Sequence, residues 1–333
     1  MNRKKLLLIL TLFVIIIFAS CDDIDKTIKP YPTNNKTITV LSEGNFNQNN
    51  STLAKYDIET GTLIKDYFRE INLRGLGDVG NDMLQYGSKL YIVMNVSGTI
   101  EVVDTSSGKS IRQIQMKQED KSSKLPRQIA AHEGKVYVTS YDDTVMRIDT
   151  VTLEQDASIE VGLDPDGIVI SNNKIYVANS GGLNYLNNYN NTLSIIDIAS
   201  FTVDKEIEVG VNPTNLGKDN RGNIYLSTLG DYFETPGVFQ KISTTGDVTT
   251  IDEISSPGKF VIFDNIAYII KGSYGNPYSV IIYDCLTNQV ITENFIPENN
   301  QQRHSAQQGR KSYVNRYGRA GLVRRLRFTR FFR

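Results

Sequence analysis

Short apolar strands recur along this chain roughly every 45 residues. Each strand carries a tyrosine within an aliphatic run and is bounded by Gly, Asn, Asp or Pro. The copies lie at residues 89–93, 135–138, 174–177 and 223–226, with a weaker one at 266–269. Fixed periods of this length are typical of solenoids, propellers and repeat arrays. The repeat therefore limits the folds that are open to the chain.

Two further markers keep the same period. A Pro-x-x-apolar motif precedes each tyrosine strand from the second copy onward. The second marker is an aspartate at the end of another strand of the repeat. The prolines are Pro126, Pro165, Pro213 and Pro257, and the aspartates are Asp57, Asp104, Asp149, Asp197 and Asp284. Each aspartate lies on a different copy of the repeat, so we expect them to cap turns through side-chain hydrogen bonds rather than to bind a metal together.

One copy of the repeat, residues 165–210, predicts four strands at 165–171, 174–179, 192–197 and 204–209. The last strand alternates polar and apolar residues, as a half-exposed strand does. Four antiparallel strands in about 45 residues are typical of a propeller blade. We name the strands a, b, c and d from the inside of the propeller outward.

The predicted fold class is therefore an all-β propeller of four-stranded antiparallel blades, over residues 37–298. Residues 37–68 hold only strands b, c and d, with the last strand at 62–68, and almost no amphipathic helix is expected after residue 22. Closed propellers commonly take a missing inner strand from the far end of the chain. Complete blades are predicted at about 78–116, 126–161, 165–209, 213–252 and 257–294.

The pattern stops after Glu298. Residues 299–333 contain nine Arg, one Lys and no acidic residue, whereas the rest of the chain contains seven Arg. A basic arm for nucleic acid or anionic lipid is one interpretation. We favour the other, a segment that is not native to this fold, because it replaces strands that the fold needs. The tail contributes +10, so residues 1–298 carry −11, and an acidic body argues against a nucleic-acid partner.

The N-terminus predicts a secretory signal over residues 1–20. Arg3, Lys4 and Lys5 precede an apolar run at 6–18, and Ala19-Ser20-Cys21 follows. The cysteine after Ala-Ser resembles the lipobox of bacterial lipoproteins, which implies acylation of Cys21 and a tether at 21–36. The alternative is an uncleaved membrane anchor. Cys285, the only other cysteine, is expected in the core.

Several strings, at 75–78, 81–83, 95–104, 135–142 and 174–183, resemble the YncE-like seven-bladed propellers. The resemblance covers about residues 37–297 and is strongest to lipoproteins on the surface of Gram-negative gut anaerobes. Among these, the BtuG-type branch captures cobalamin and passes it to a TonB-dependent transporter. The resemblance thus implies an outer-membrane lipoprotein, a bound corrinoid and a transporter partner. The alternative location is the periplasm-facing side of the membrane. The sequence departs from the family in one respect, since its pattern lacks a seventh blade.

In a propeller, the b–c and d–a loops open on one face and the a–b and c–d turns on the other. The b–c loops of this chain are long and rich in Asn, Tyr and Gly, notably at 43–47, 179–191, 229–236 and 271–278. Binding usually resides on such loops. Their tyrosines would form a flat surface beneath a planar ligand that carries amide groups. Asn45, Asn179 and Asn184 would form hydrogen bonds with those amides. The alternative is a set of ordinary solvated loops.

Arginines near the d–a loops of the same face, including Arg74 and Arg127, would meet an anionic group of a ligand or form ion pairs with Asp78 or Asp82. The candidate ligand-binding residues are Asn45, Arg74, Asp82, Arg127, Tyr141, Asn179, Tyr185, Tyr189, Tyr232, Tyr274 and Tyr278.

We do not expect an enzyme, a required cofactor or a metal. Of the two histidines, His132 lies beside an a–b turn on the opposite face and His304 lies in the tail. No nucleophile–base set is visible, and Asp82 with Glu43 is a weak acid–base pair at most. The predicted function is binding of a small molecule by a monomeric surface lipoprotein. The alternatives are a protein-binding scaffold of an outer-membrane complex and a propeller hydrolase or lactonase.

Overall fold

The structure is a computed structural model that describes residues 37–184, 189–272 and 279–295. Within these residues the chain forms six antiparallel sheets, and each sheet is complete before the next one begins. Five sheets have four strands in the order a-b-c-d, and the first has three. The predicted all-β propeller of four-stranded blades is confirmed, with six blades among the described residues.

The strands follow the repeat closely. The first sheet contains β1 (Thr37–Ser42), β2 (Thr52–Asp57) and β3 (Leu63–Ile64). A short helix, α1 (Tyr67–Asn72), leads to the second sheet. The second and third sheets are β4 (Gly80–Tyr86), β5 (Lys89–Met94), β6 (Thr99–Asp104) and β7 (Ser110–Gln115), then β8 (Pro126–His132), β9 (Lys135–Ser140), β10 (Thr144–Asp149) and β11 (Gln155–Glu160).

The fourth, fifth and sixth sheets complete the series. They are β12 (Pro165–Ser171), β13 (Lys174–Asn179), β14 (Thr192–Asp197) and β15 (Thr202–Glu208), then β16 (Pro213–Lys218), β17 (Ile224–Thr228), β18 (Val238–Ile242) and β19 (Val248–Ser255), then β20 (Pro257–Phe263), β21 (Ile266–Lys271), β22 (Ser279–Asp284) and β23 (Gln289–Thr292).

The end of the first blade differs from the prediction. The strand expected at 62–68 stops at Ile64, and α1 follows although almost no helix was expected. The carboxylate of Asp66 accepts the Arg69 N–H at 3.4 Å and caps the helix, and Leu73 ends it in the left-handed conformation (φ 56°). The helical turn buries Phe68, which an extended chain would not place in the core between the first two blades.

The blades pack on one another through two distinct faces. We call the face that carries the repeated tyrosine the tyrosine face, and the other side of the same sheet the reverse face. Successive side chains of a strand point to opposite faces, so each blade presents both. The tyrosine face of each of the first five blades packs on the reverse face of the next, and Tyr91, Tyr137, Tyr176 and Tyr225 lie in these cores. In the first blade, Leu41 and Leu53 lie on the corresponding face and pack on the second blade.

The repeated aspartates cap the c–d turns, as expected. Their carboxylates accept backbone N–H groups two or three residues further on, as Asp149 does from Val151 and Thr152, each at 2.8 Å. Asp57, Asp104, Asp197 and Asp284 do the same. Among the described residues no group of acids, histidines and cysteines is placed to hold a metal ion.

Asp104 gives a pH-dependent contribution to stability. Hydrogen bonds from the hydroxyls of Ser106 and Ser107 and the Ser107 N–H lower its pKa to about 2. The folded value lies below the ordinary one of about 3.9, so this stabilisation is present above pH about 4 and is lost as the pH falls toward 2. We expect the difference in urea midpoint between the natural chain and Asp104→Ala to shrink over that interval. A difference that stays constant from neutral pH to pH about 2.5 would contradict this assignment.

Candidate functional site

The long loops lie together on one side of the blades. In the third and fourth blades, strand a begins opposite the end of strand b, since Pro126 pairs with Ser140 and Pro165 with Asn179. The d–a and b–c loops of a blade therefore open on the same side, which we call the loop face. His132 lies at the other end of β8, beside the a–b turn, as expected.

Every described inner strand begins with the same irregularity. A break in register follows its first residue, at Gly80, Pro126, Pro165, Pro213 and Pro257. The residue just before each of these has a positive φ, between 45° and 58°: Val79, Leu125, Asp164, Asn212 and Ser256. Such bulges locally release the strand from its partner and re-aim side chains. The one residue after Gly80 or Pro213, and the two residues after Pro126, Pro165 or Pro257, are therefore outside the ladder and can contact neighbouring blades.

A buried ion pair lies at this position between the third and fourth blades. Arg127 donates from Nε and Nη2 to the two carboxylate oxygens of Asp166, at 3.2 and 2.9 Å. Its Nη1 donates to Oδ1 of Asn81 in the second blade at 3.3 Å. Only 12 % of the Arg127 side chain and 5 % of the Asp166 side chain are exposed. The guanidinium and the carboxylate thus form a two-point pair that is largely shielded from water.

Three further side chains join this pair. The Tyr141 ring lies under the Arg127 guanidinium, 4.5 Å from ring centre to Cζ, and its hydroxyl is 3.4 Å from Oδ2 of Asp166. Nε2 of Gln128 donates to Asp166 at 3.0 Å and to the Thr214 carbonyl at 2.9 Å. We call Asn81, Arg127, Gln128, Tyr141 and Asp166 the mouth cluster. It links four consecutive blades at the start of their inner strands.

Gly167 makes the longest of these links possible. Gln128 belongs to the third blade and Thr214 to the fifth, so the bond between them passes the fourth blade. A Cβ on Gly167 would lie 3.0 Å from the Thr214 carbonyl oxygen, the atom that accepts from Gln128. A side chain at this point would therefore compete with Gln128 for the same space.

The charges of the mouth cluster are matched internally. Burial alone would lower the pKa of Arg127, but the Asp166 carboxylate, with Tyr141 and Glu43, raises it above the ordinary value. Burial, and then the Asp166 charge, raise the pKa of Tyr141. At neutral pH the cluster thus contains a guanidinium, a carboxylate and a protonated phenol, which suits uncharged polar groups better than a second ion.

An exposed apolar and aromatic group stands on the b–c loops of the fourth and fifth blades. Leu183, Tyr189, Tyr232 and Phe233 form it, and we call it the aromatic rim. Tyr189 and Tyr232 contact each other edge to face, with ring centres 5.8 Å apart. Phe233 is 92 % exposed and Tyr232 is 63 % exposed. Single exposed apolar side chains are ordinary, but a group of them on adjoining loops marks a surface suited to contact with a ligand or partner.

The loop that carries Tyr232 and Phe233 is a fixed turn. Gly230 bridges to Pro236, and the Asp231 carboxylate accepts the N–H groups of Phe233 and Thr235, each at 2.8 Å. Tyr232 has a positive φ of 67°, which is uncommon for an aromatic residue. The hydrogen bonds of the turn therefore fix the backbone that carries the two rings, and the Tyr232 ring is in addition in contact with Tyr189.

The aromatic rim adjoins the mouth cluster. Leu183 donates its N–H to the Asp164 carboxylate at 2.9 Å, and Asp164 precedes the inner strand that bears Asp166. A Cβ on Gly182 would lie 2.7 Å from the Tyr141 hydroxyl oxygen, so the loop passes directly over this side chain. Rim and cluster form one continuous region of the loop face.

The predicted site residues divide between this region and structural roles. Arg127 and Tyr141 belong to the mouth cluster, and Tyr189 and Tyr232 to the aromatic rim. Asp82 lies in the neighbouring bulge, where its carboxylate accepts the Ile129 N–H at 3.2 Å. Asn45 is exposed in the first b–c loop, where its own N–H is bonded to the Asn50 side chain.

Arg74 and Asn179 differ from the prediction. Arg74 pairs with Glu101 at 2.7 Å, rather than with Asp78 or Asp82, and lies over the Phe68 ring. Glu101 is fully buried, so this arginine neutralises a carboxylate within the second blade. Asn179 is also fully buried and donates to Thr192 and Ser194, each at 2.9 Å. Neither side chain is part of the region formed by the rim and the cluster.

Four of the predicted residues fall outside the part of the chain that the structure describes. Tyr185, Tyr274, Tyr278 and the lipidation residue Cys21 lie outside the described ranges. Three members of the mouth cluster, Asn81, Gln128 and Asp166, were not predicted. For Gln128 and Asp166 the Pro-x-x-apolar motif contained the signal, because its two unspecified positions are those of the bulge. Within the described part of the chain, no helix has both the length and the apolar character that a membrane crossing requires.

Comparison with known proteins supports the fold class. The chain matches no protein-family model and no curated protein sequence. Among solved structures it is similar to a streptogramin B lyase, with TM-score 0.56 and 11 % identity over 74 % of this chain and 77 % of the other. It is also similar to a hydrazine synthase chain of Kuenenia stuttgartiensis, with TM-score 0.54 and 18 % identity over 70 % of each. A computationally designed protein, Ika8, gives TM-score 0.54 at 14 % identity, over 78 % and 71 %. Because the sequence identities are this low, these similarities support the fold and nothing further.

Proposed function

We propose that this chain is a surface lipoprotein that binds a small, flat, amide-bearing molecule on its loop face, with a corrinoid as the leading candidate. The observation that carries the proposal is the continuity of the aromatic rim with the mouth cluster. A fixed aromatic surface and a polar centre of matched charge adjoin on the same face, in the part of a propeller where loops bind ligands.

The chemistry of the two parts favours this class of ligand. Tyr189, Tyr232 and Phe233 offer flat apolar area that loses little conformational freedom on contact. Gln128 and Tyr141 are half-buried polar groups of the kind that pair amides. An anionic group would have to compete with Asp166 for Arg127, and breaking that bidentate pair is costly. A corrinoid is a planar macrocycle with amide side chains and suits both parts.

The proposed location and partner rest on the sequence. The lipobox-like segment that ends at Cys21 supports a lipid anchor, and the resemblance to BtuG-type lipoproteins supports the outer membrane. Under this proposal the ligand is passed to a TonB-dependent transporter. The same exposed rim would serve the alternative function, in which the propeller docks another protein of an outer-membrane complex without a ligand, because Phe233 is almost fully exposed.

Isothermal titration calorimetry of cyanocobalamin with the purified full chain tests whether a corrinoid binds. We expect saturable binding to one site. Replacing Tyr232 and Phe233 by Ser should weaken it at least about 10-fold, because aromatic anchors of this kind are energetic hot spots. Both side chains are exposed, so the fold should be unchanged, and circular dichroism checks that.

The matched control is Val151→Ser, which removes an equally exposed apolar side chain from a c–d turn on the opposite face. It should leave the affinity unchanged. If titration of the natural chain releases or absorbs no heat of binding, the corrinoid proposal is wrong. Specific capture of a membrane protein by the ligand-free chain, lost in the Tyr232/Phe233 variant, would then favour the docking function.

A further inference from the structure

The side-chain amide of Gln128 is held in one orientation. Its Nε2 donates to the Asp166 carboxylate at 3.0 Å and to the Thr214 carbonyl at 2.9 Å. Neither a carbonyl nor a carboxylate that pairs with a guanidinium has a hydrogen to donate. Both N–H bonds of the amide are therefore used, and its nitrogen and oxygen cannot exchange places. Because the amide is planar, Oε1 points away from both partners.

The oxygen of this amide accepts no hydrogen bond within the part of the chain that the structure describes. The described residues do not enclose it either, so it is open to solvent. A primary amide in a folded protein ordinarily uses its carbonyl as well as its nitrogen. Gln128 thus presents an accessible acceptor in a fixed position within the mouth cluster.

The equivalent residues of two other blades use their side-chain oxygens to join neighbouring blades. Asp82 and Asn215 are, like Gln128, the third residue of an inner strand. The Asp82 carboxylate accepts the Ile129 N–H at 3.2 Å, and the Asn215 side-chain carbonyl accepts the Phe260 N–H at 2.7 Å, in each case from the next blade. Asp82 and Asn215 have rejoined the strand ladder, whereas Gln128 lies in the longer bulge of the third blade. The Gln128 oxygen therefore does not have the structural role of its two counterparts.

The surroundings of this oxygen favour an uncharged donor. An amide oxygen accepts an N–H or O–H group and cannot bond to a carboxylate, which has only acceptors. The Asp166 carboxylate, bonded to the same amide, would also repel a second carboxylate, and Arg127 is already paired with Asp166 through two hydrogen bonds. A primary amide supplies an N–H group without bringing a further charge to this matched pair.

We propose that Gln128 is the residue by which the loop face distinguishes a side-chain amide of its ligand from the corresponding carboxylate, with Oε1 accepting an amide N–H. This inference rests on the proposed function, since it requires an amide-bearing ligand on the loop face. A site that accepts an N–H binds an analogue without that hydrogen less well, because the polar group of the site is then left unpaired. For one hydrogen bond we expect a difference in affinity of about 10–100-fold.

Isothermal titration calorimetry of the full chain compares cyanocobalamin with its monocarboxylic derivatives, in each of which one propionamide side chain has become a propionic acid. At neutral pH the acid is ionised and has no N–H to donate. We expect at least one derivative to bind more weakly than cyanocobalamin by about 10-fold or more. If cyanocobalamin binds and every derivative binds as tightly, the proposed function stands and the selection by Gln128 is wrong. If cyanocobalamin itself does not bind, the proposed function fails and this inference fails with it.

Two variants assign the difference to this residue. Gln128→Met keeps the length of the side chain and removes the amide, and Gln128→Asn keeps an amide but withdraws its oxygen by one methylene. In both, the preference for cyanocobalamin over the weakest-binding derivative should be lost, and urea denaturation checks that each variant folds. Gln155→Met is the matched control, because Gln155 is exposed on the outer strand β11, and it should keep the full preference. A preference that is unchanged in either folded Gln128 variant would overturn the assignment.

Discussion

Replacing Asp166 by Ala should lower the free energy of unfolding by about 3–5 kcal/mol, because it leaves the Arg127 guanidinium buried without its carboxylate. Arg127 is 12 % exposed and its other direct contacts, with Asn81 and Tyr141, are to uncharged groups. The Glu43 charge also favours the guanidinium, but less than Asp166 does. The change is measured by urea denaturation at neutral pH. Replacing both partners by apolar residues, as in Arg127→Met with Asp166→Leu, should recover much of the loss, since no charge then remains buried.

Glu154→Ala is the matched control. It removes an ion pair with Arg112 whose nearest atoms are 3.6 Å apart and whose side chains are 54 % and 68 % exposed. Exposed pairs contribute about 0–1 kcal/mol, so this variant should unfold nearly as the natural chain does. If Asp166→Ala cost no more than Glu154→Ala, the mouth cluster would not be the shielded network described above.

The repeated tyrosines should contribute unequally to the free energy of unfolding. Tyr137→Ala should cost about 3–5 kcal/mol, because it opens a cavity in the core between the third and fourth blades. Tyr137 is buried and its ring lies 5.9 Å from that of Phe201, centre to centre. Denaturant unfolding measures the loss.

Tyr268→Ala is the same substitution at the same position of the last blade. There the tyrosine is half-buried, so we expect a cost of about 1 kcal/mol. Equal losses for the two variants would mean that Tyr268 is buried in solution as fully as Tyr137.

The sequence predicted the blades well because each blade is a local unit. The tyrosine, the aspartate and the Pro-x-x-apolar motif each mark one strand or turn, and strands that follow one another pair with one another. The helix at 67–72 was missed because its signals, a capping Asp66 and one buried Phe68, are too few to show a helical period.

The site was predicted only in part because its contacts run between blades. Arg127 and Asp166 are separated by 39 residues and meet only because their blades are neighbours. Arg127 was found from its place near a loop, but its partner was assigned to the wrong aspartates. Asn179 was placed on the surface because it ends a strand beside a long loop, whereas Ser194 and Thr192 hold its side chain inside the blade.

Hydrogen exchange of the full chain with and without cyanocobalamin tests directly whether the loop face binds the ligand. We expect slower exchange at 180–184 and 229–236, in the loops that carry the aromatic rim, and at 126–128 and 164–167 beside the mouth cluster. The a–b turns at 133–134 and 172–173, on the opposite face, should be unchanged. Protection confined to that opposite face, or no protection at saturating ligand, would contradict it.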